Sequence, residues 1–468
     1  MGFLKLANIK KTIYYFKRNG IKNTFLAVLE RCTTKKEAYT YANLSEDVYE
    51  EQKNYLFSFP CKFSILVPAY ETKEVFLREL IESVLNQTYR NFELVIADAS
   101  KTNCVEKVVS SYTDERIVYK KLENNGGISE NTNAGLAETT GDYVGLLDHD
   151  DILTKDALFE MARAIEKGKK EGKEPWLLYS DEDKCDSSGT NFFEPHRKLD
   201  FNLDLLLSNN YICHFLVMKA NFMKRLRFRK EYDGAQDYDI ILRGVGTLMR
   251  EKGYEKTRNE MVCHIPKVLY HWRCHEASTA ENPESKQYAY EAGKKAIKNF
   301  LLNEDCYSSA VVDTCHLGFY HVLSTDKFEG PGAIGAFGGN VINRRKIICG
   351  GMERDGITPF KGKKVYFSGY MHRVALRQTV DVLDLRCIEV NPKLMKLFEE
   401  VTGMEYDRDL KTDMFCRENY KKTEAEWIDL SHKFSQKVRE AGYRLVYNPD
   451  YVYKKKKYLS VTRKDGAV

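Results

Sequence analysis

The 468-residue chain has no apolar run of the length that crosses a bilayer, so no spanning helix is expected. Its 12 cysteines include no CxxC pair and no tight cluster. That argues against a zinc site or a disulfide framework and fits reduced thiols in a cytoplasm. Basic and acidic residues nearly balance, 73 against 68, for a net charge of +5, and no basic run is interleaved with aromatics. Nucleic acid is therefore not an expected partner. No GxGxxG follows the first strand and no P-loop pattern occurs, which lowers dehydrogenase and P-loop readings. HExxH and GxSxG are missing too. The N-terminus has neither a long apolar core nor a small-residue cleavage site, so it does not read as a secretory signal. Gly2 lacks the downstream Ser/Thr of a myristoylation signal.

What is present begins with 43% hydrophobic residues, enough for real cores, beside 30% charged residues and a mean hydropathy of −0.50. The length predicts two or three domains. The N-terminal stretch MGFLKLANIKKTIYYFKRNGIKNTFLAVLERC is basic and amphipathic. It could pack on the domain that follows or lie on an anionic membrane surface.

Two strand ends carry the most information. Phe63-Ser-Ile-Leu-Val67 runs into Pro68-Ala69-Tyr70-Glu71, and Tyr143-Val-Gly-Leu-Leu147 runs into Asp148-His149-Asp150-Asp151. Continuous apolar sequence marks a buried parallel strand, and open α/β sheets bind ligands at the carboxyl ends of such strands. Three crowded carboxylates repel one another unless a cation sits among them. Oxygen ligands of this kind suit Mg²⁺ or Mn²⁺ shared with phosphate oxygens. The bland alternative is a helix N-cap cluster, which one Asp would satisfy.

Between these ends, Phe92 to Ala97 leads into Asp98, Arg116 to Tyr119 reads as a third strand, and a helix is expected around Glu130 to Glu138. A helix from about Thr154 to Lys167 and a strand Trp176–Tyr179 continue the alternation. Strand–helix alternation predicts a parallel sheet with helices on both faces. Residues 190–300 are less regular. They contain Asp237 and Asp239 leading into a helix, then His271-Trp-Arg273-Cys-His275, and a helix from Glu284 to Leu302. Taken singly, Asp237, Asp239, His271, Arg273 and His275 could be ordinary surface or satisfied polar groups. Together the last three could bind phosphate and metal. The stretch 303–325 reads as a linker strand.

From about 61 to 300 the chain resembles the family 2 glycosyltransferases of the GT-A fold. FSILVPAYE is similar to that family's first strand and nucleotide-facing loop, and LNQTYRNFELVIADAS to its second strand, with Ala97 and Ala99 replacing an acid and a glycine. ENNGGISENTNAGLAETTGDYVGLLDHDD resembles the run into its DxD motif. DGAQDYDIILR resembles its E-D-y-D segment, with Gln236 in place of the first acid, and HIPKVLYHWRCHEAST its R-x-H signature. YSDEDK, with FFEPHRKLDFNLDLLLSNNYICH, is typical of members that make bacterial surface polysaccharides.

The resemblance implies a Rossmann-like open mixed sheet with helices on both faces. It implies an inverting, metal-dependent transferase acting from a nucleotide-diphosphate sugar donor onto a hydroxyl of a cell-surface glycan or lipid-linked precursor, in the cytoplasm or peripherally on the inner face of the membrane. Ala69, Tyr70 and Glu71 would belong to the nucleotide-facing loop, with Tyr70 flanking the base that Asp98 reads. Asp148 would contact ribose or metal, Asp150 would be the principal Mn²⁺ or Mg²⁺ ligand with His275 beside it, Arg273 would face the diphosphate, and Asp237 would be the general base. Two other classes stay open: a catalytically silent nucleotide-sugar-binding scaffold, and a nucleotidyltransferase. The latter usually carries a Gly-rich basic loop after its first strand, which Pro68-Ala-Tyr-Glu71 is not.

Residues 1–60 are expected to form a helical lead-in, 61–302 the transferase domain, and 303–468 a smaller α/β domain resembling the second half of another family 2 domain. In that second domain Trp427 stands where the base would be. Its apolar segments Val380–Leu385 and Leu394–Phe398 are expected to need cover from the first domain or from a second chain, which would make a homo-oligomer.

Overall fold

The computed structural model describes residues 6–34, 38–275, 287–324, 328, 330–352, 359–404, 406, 422–454 and 460–463. The chain divides into two compact units. One comprises Ala38–Phe201 and Asn210–Asn303; the other comprises Met1–Glu37, Asn202–Asn209 and Glu304–Val468. The described cysteines are free thiols.

The first unit is built on a nine-stranded sheet: β1 (Phe63–Ala69), β2 (Phe92–Asp98), β3 (Ile117–Lys121), β4 (Tyr143–Leu146), β5 (Ile152–Leu153), β6 (Leu177–Cys185), β7 (Phe192–His196), β8 (Leu216–Lys219) and β9 (Val262–Arg273). The order is β3-β2-β1-β4-β8-β6-β9-β5, with β7 on β6. β1 to β4 are mutually parallel as the alternation predicts. The sheet then turns mixed, because β8 inserts antiparallel between β4 and β6. At four residues, β8 is too short to be read as a strand in an irregular stretch of sequence. The open mixed sheet beside a smaller α/β unit is the architecture that the resemblance implies.

Both faces of the sheet are covered. Ile65 and Val67 join a core with Leu77, Leu80, Ile81 and Val84 of helix Glu74–Leu85 and with Leu158, Met161 and Ile165 of helix Ala157–Lys170. On the other face, helix Ile128–Glu138 comes so close that a Cβ on Gly135 would lie 2.6 Å from Leu66 Cδ1. Burial on both sides is why β1 and β2 read as unbroken apolar runs. β1 continues through Pro68 to Ala69 rather than stopping at the proline. Its pairing with β4 ends at Leu66↔Leu146, so Pro68 lies beyond the ladder that would need its N–H. The register sets Ala69 beside Asp98, and β4 alongside β1 brings the Asp148 turn to the same edge.

The second unit has a six-stranded mixed sheet in which Ile334–Asn343 pairs with Arg444–Lys454. The expected linker strand over 303–325 is instead an antiparallel hairpin, Ser309–Asp313 against Tyr320–Ser324. Leu383, Leu385, Leu394 and Phe398 are buried, in a core with Trp427, Phe434 and Val438 of helix Glu424–Glu440. This corrects the expectation that those segments need outside cover, since an amphipathic helix of the same unit supplies it. Trp427 is a core side chain, 3% exposed. Residues 202–209 are tied in by a buried ion cluster. Asp204 pairs with Arg377 at 2.9 Å and with Arg444, and accepts the Thr379 hydroxyl at 2.7 Å.

Candidate active site

At the carboxyl edge of β1, β2 and β4 the acids divide into structural and open groups. Asp98 is fully buried. It accepts the Ser100 N–H and the Tyr119 hydroxyl, both at 2.8 Å, and the Lys121 ammonium at 2.9 Å. Burial alone would raise its pKa; these donors outweigh burial and leave it below the usual carboxylate range. Ala69 is buried beside it, and Tyr70 is 39% exposed. Glu71 takes up φ 47°, and its carboxylate is engaged by the next loop, accepting the Lys101 N–H at 2.8 Å and the Thr102 hydroxyl at 2.6 Å. The Thr102 hydroxyl, its N–H and that of Lys101 hold the Glu71 carboxyl below its ordinary pKa. Ser100 accepts the Glu71 N–H at 2.8 Å. Glu71 therefore braces the loop after β2 against the loop after β1.

In the acidic turn after β4, Asp151 is the inward member, 1% exposed. It accepts the Arg273 N–H at 2.7 Å and the Tyr270 hydroxyl. Burial, then the charges of Asp150 and Asp148, push its carboxyl well above the usual range. Of the three carboxylates crowded in sequence, this one anchors β9. Asp148 is open, its side chain 54% exposed. Asp150 meets His275 Nε2 at 2.7 Å. His149 bonds Thr72 at 3.1 Å, tying the turn to the loop after β1.

Arg273 departs from the expectation that it faces the diphosphate. It is fully buried. Its guanidinium donates to the Asp150 carbonyl at 2.6 Å and to the Ser187 carbonyl at 3.1 Å, pairs with Glu79 at 2.5 Å and stacks over Phe76. It braces the turn that presents Asp150, because a fully desolvated guanidinium takes the acceptors around it.

Asp237 lies in the first turn of helix Gln236–Lys252 and accepts the Asn210 amide at 3.0 Å. Asp239, two residues on, is buried between Arg229 and Arg243. Asp183 is held by His271 at 2.5 Å and by the Tyr39 hydroxyl at 2.7 Å. Asp148 and Asp237 line one open cleft together with Pro68, Leu147, Cys213 and His214.

His214 was not singled out by sequence reasoning, although it closes the NNYICH motif. Its Nε2 is 3.8 Å from Asp148, its Nδ1 is 3.1 Å from the buried Glu182, and its ring stacks on Tyr270 at 4.7 Å. Burial works to lower its pKa; Glu182, Asp148 and Asp151 outweigh burial and raise it to about 9. Glu182 in turn is held well below its ordinary value, against burial, by Lys198, His196 and His214. The cleft thus sets a cationic imidazolium beside an open carboxylate. Only β8 packing against β6 brings His214 and Glu182 together, so no local pattern could have found the pair.

Among the described residues no three side chains of ligand type form a ready-made metal cage. Asp150 and His275 offer two donors, with Asp148 on the same turn. A Mg²⁺- or Mn²⁺-sized cation bridging phosphates typically takes one or two protein ligands, so these residues fit such an ion.

Residues 64–225 match the family model "Glycosyl transferase family 2". The domain they build belongs to that family. Among curated relatives, Sinorhizobium fredii protein y4gI is 37% identical over 253 residues, 53% of this chain and 26% of that protein. Myxococcus xanthus O-antigen biosynthesis protein RfbC is 32% identical over 248 residues, 52% of this chain and 18% of RfbC. The chain thus spans about a quarter or less of these relatives' length. The solved structure of S. aureus TarS 1–349 in complex with UDP is similar over 52% of this chain and 66% of that one, at 20% identity and a TM-score of 0.38. Pyrobaculum calidifontis mannosyltransferase PcManGT, in complex with GDP-Man and Mn²⁺, gives 12% identity and a TM-score of 0.34 over 63% of this chain and 85% of that one. Likenesses this loose carry no argument about the site of the transferase domain.

Proposed function

We propose that the chain is an inverting glycosyltransferase that moves a sugar from a nucleotide-diphosphate donor to a hydroxyl of a cell-surface glycan or its lipid-linked precursor. The observation that carries this reading is that Asp148 and Asp237 line one and the same cleft, at the edge where a doubly wound sheet takes its ligand. Membership of family 2 and the O-antigen role named for RfbC support the reaction class and the acceptor class.

The roles follow from chemistry. The acceptor hydroxyl must lose a proton as it attacks the anomeric carbon, and Asp237, a half-buried carboxylate lining the cleft, would take it. One carboxylate doing proton chemistry fits direct displacement, which inverts the centre. Asn210 fixes the Asp237 carboxylate, and Gln236 removes the second negative charge that the family pattern sets beside it. Asp148, Asp150 and His275 would hold a divalent cation, with Arg273 and Asp151 bracing the turn. When bound, that ion offsets charge developing on the departing diphosphate. Tyr70 and Asp98 would receive the base, with Ala69 and Glu71 shaping the loop around it. His214 adds fixed positive charge near the phosphates.

The test is a panel of nucleotide sugars screened for thermal stabilisation with and without Mn²⁺, followed by transfer of labelled sugar from the stabilising donor onto extracted lipid-linked glycan. A donor that binds only the folded state raises the melting temperature. Stabilisation by no nucleotide sugar, or binding without transfer to any glycan fraction, would refute the proposal.

A further inference from the structure

Helix Leu6–Thr33, interrupted at Gly20 (φ 73°), leaves an apolar face in solvent. Its inner side is docked on its own unit. Arg18 and Asn19 donate to the Thr314 and Cys315 carbonyls, Tyr15 packs near His316, and Glu30 accepts the N–H groups of Ser368 and Gly369. At 3.6 residues per turn, Glu30 stands about 180° round the helix from Ile21. Ile21, Phe25 and Val28 therefore share the opposite, outward side, 76%, 65% and 41% exposed, and on the segment before the kink Ile13 and Phe16 are 50% and 47% exposed. Five large apolar side chains exposed along one helix are more than scattered surface residues account for.

The charge pattern names the occupant. The sequence of the helix holds six basic residues, Lys10, Lys11, Lys17, Arg18, Lys22 and Arg31, and one acid, Glu30, which is turned inward onto Ser368 and Gly369. Lys17 and Lys22 are exposed beside the apolar residues. A second copy of the chain meeting this face across a two-fold axis would set cations against the same cations. An anionic lipid surface accepts both, with the apolar side chains entering the headgroup boundary and the lysines resting at phosphate level. No helix among the described residues is long and apolar enough to cross a membrane.

We infer that helix Leu6–Thr33 is a membrane-docking surface for anionic phospholipid, bound in the plane of the interface through Ile13, Phe16, Ile21, Phe25 and Val28 with flanking lysines. This inference stands on the helix alone and does not depend on the catalytic reading. The test is co-sedimentation of the full chain with vesicles of phosphatidylcholine alone or with about 30% phosphatidylglycerol. Binding to the anionic vesicles should be at least about tenfold stronger and should weaken with salt. Phe16→Ser/Phe25→Ser and, separately, Lys17→Glu/Lys22→Glu should each lose that binding with an unchanged melting temperature, since all four side chains are exposed. Equal binding to both vesicle types, no binding to either, or wild-type binding by both variants would overturn the inference. So would a dimer that Phe16→Ser/Phe25→Ser dissociates in the absence of vesicle binding, which would give the face to a second copy.

Discussion

Asp237→Asn separates proton removal from everything else that the Asp237 carboxylate does. The side chain keeps its shape, and its remaining oxygen can still accept the Asn210 amide now made at 3.0 Å. What changes is charge. A hydrogen bond to a charged group contributes about 1.5–3 kcal/mol and a neutral one about 0.5–1.5, so the fold should lose about 1 kcal/mol. For a unit of this size that lowers the melting temperature by about 2–4 °C. Transfer loses its base, which costs about a hundredfold or more, equivalent to about 2.7 kcal/mol in the barrier. The assay compares three readouts on one preparation: melting temperature, donor affinity by calorimetry in Mn²⁺, and rate of sugar transfer to acceptor. The expected pattern is a small loss of stability, donor affinity within about threefold of wild type, and transfer down by about 10² or more. Transfer near the wild-type rate would refute the assignment. The alternatives are constrained, because Asp239 is paired with two arginines and Asp183 is held by His271 and Tyr39. A collapse of donor affinity would place Asp237 in binding instead.

Donor affinity should depend on a divalent cation, being much weaker in chelator than in Mn²⁺ by calorimetry, and Asp150→Ala should remove that difference; equal affinity in chelator and Mn²⁺ for the wild type would sink the metal assignment. Asp204→Ala leaves Arg377 and Arg444 without their carboxylate in a dry environment and should destabilise the second unit by about 3–5 kcal/mol, read by denaturant unfolding; a change below about 1 kcal/mol would show that the cluster is dispensable. Glu93 is buried. Against the burial that would raise its pKa, Lys62, Ser64 and Thr140 lower it from 4.5 to about 2. Its contribution, at most about 3 kcal/mol, is present above pH 4.5 and lost as pH falls through about 2. Glu93→Gln should therefore be less stable than wild type at pH 6, and the gap should close between about pH 4.5 and pH 2; a gap independent of pH would refute the linkage.

Much of the first unit was legible because its strands are buried on both faces. β1, β2 and β4 appear as apolar runs, and polar residues at their ends fall on one edge by the geometry of parallel pairing. That is how Tyr70, Asp98, Asp148 and Asp150 were picked from sequence, and the structure sets them at that edge. What sequence could not decide is which way each side chain faces. Arg273 and Asp151 belong to motifs that read as ligand-binding, yet both are buried and bonded to each other's segments. His214 and Glu182 come from strands and loops 32 residues apart and meet only because β8 lies antiparallel beside β6.

In the second unit, the resemblance pointed to an α/β fold, but the apolar segments Val380–Leu385 and Leu394–Phe398 carry no label for what covers them. The helix Glu424–Glu440 does, with Trp427 inside. Nor does residue order reveal that 202–209 belongs to a unit built more than 90 residues later, tied in through Asp204 and two distant arginines. Local periodicity is fixed by one strand or one helix turn at a time, so sequence determined the elements and the chemistry available at their ends. Side-chain direction and long-range ion pairing depend on which elements exclude water together, and that was decided only by the tertiary structure.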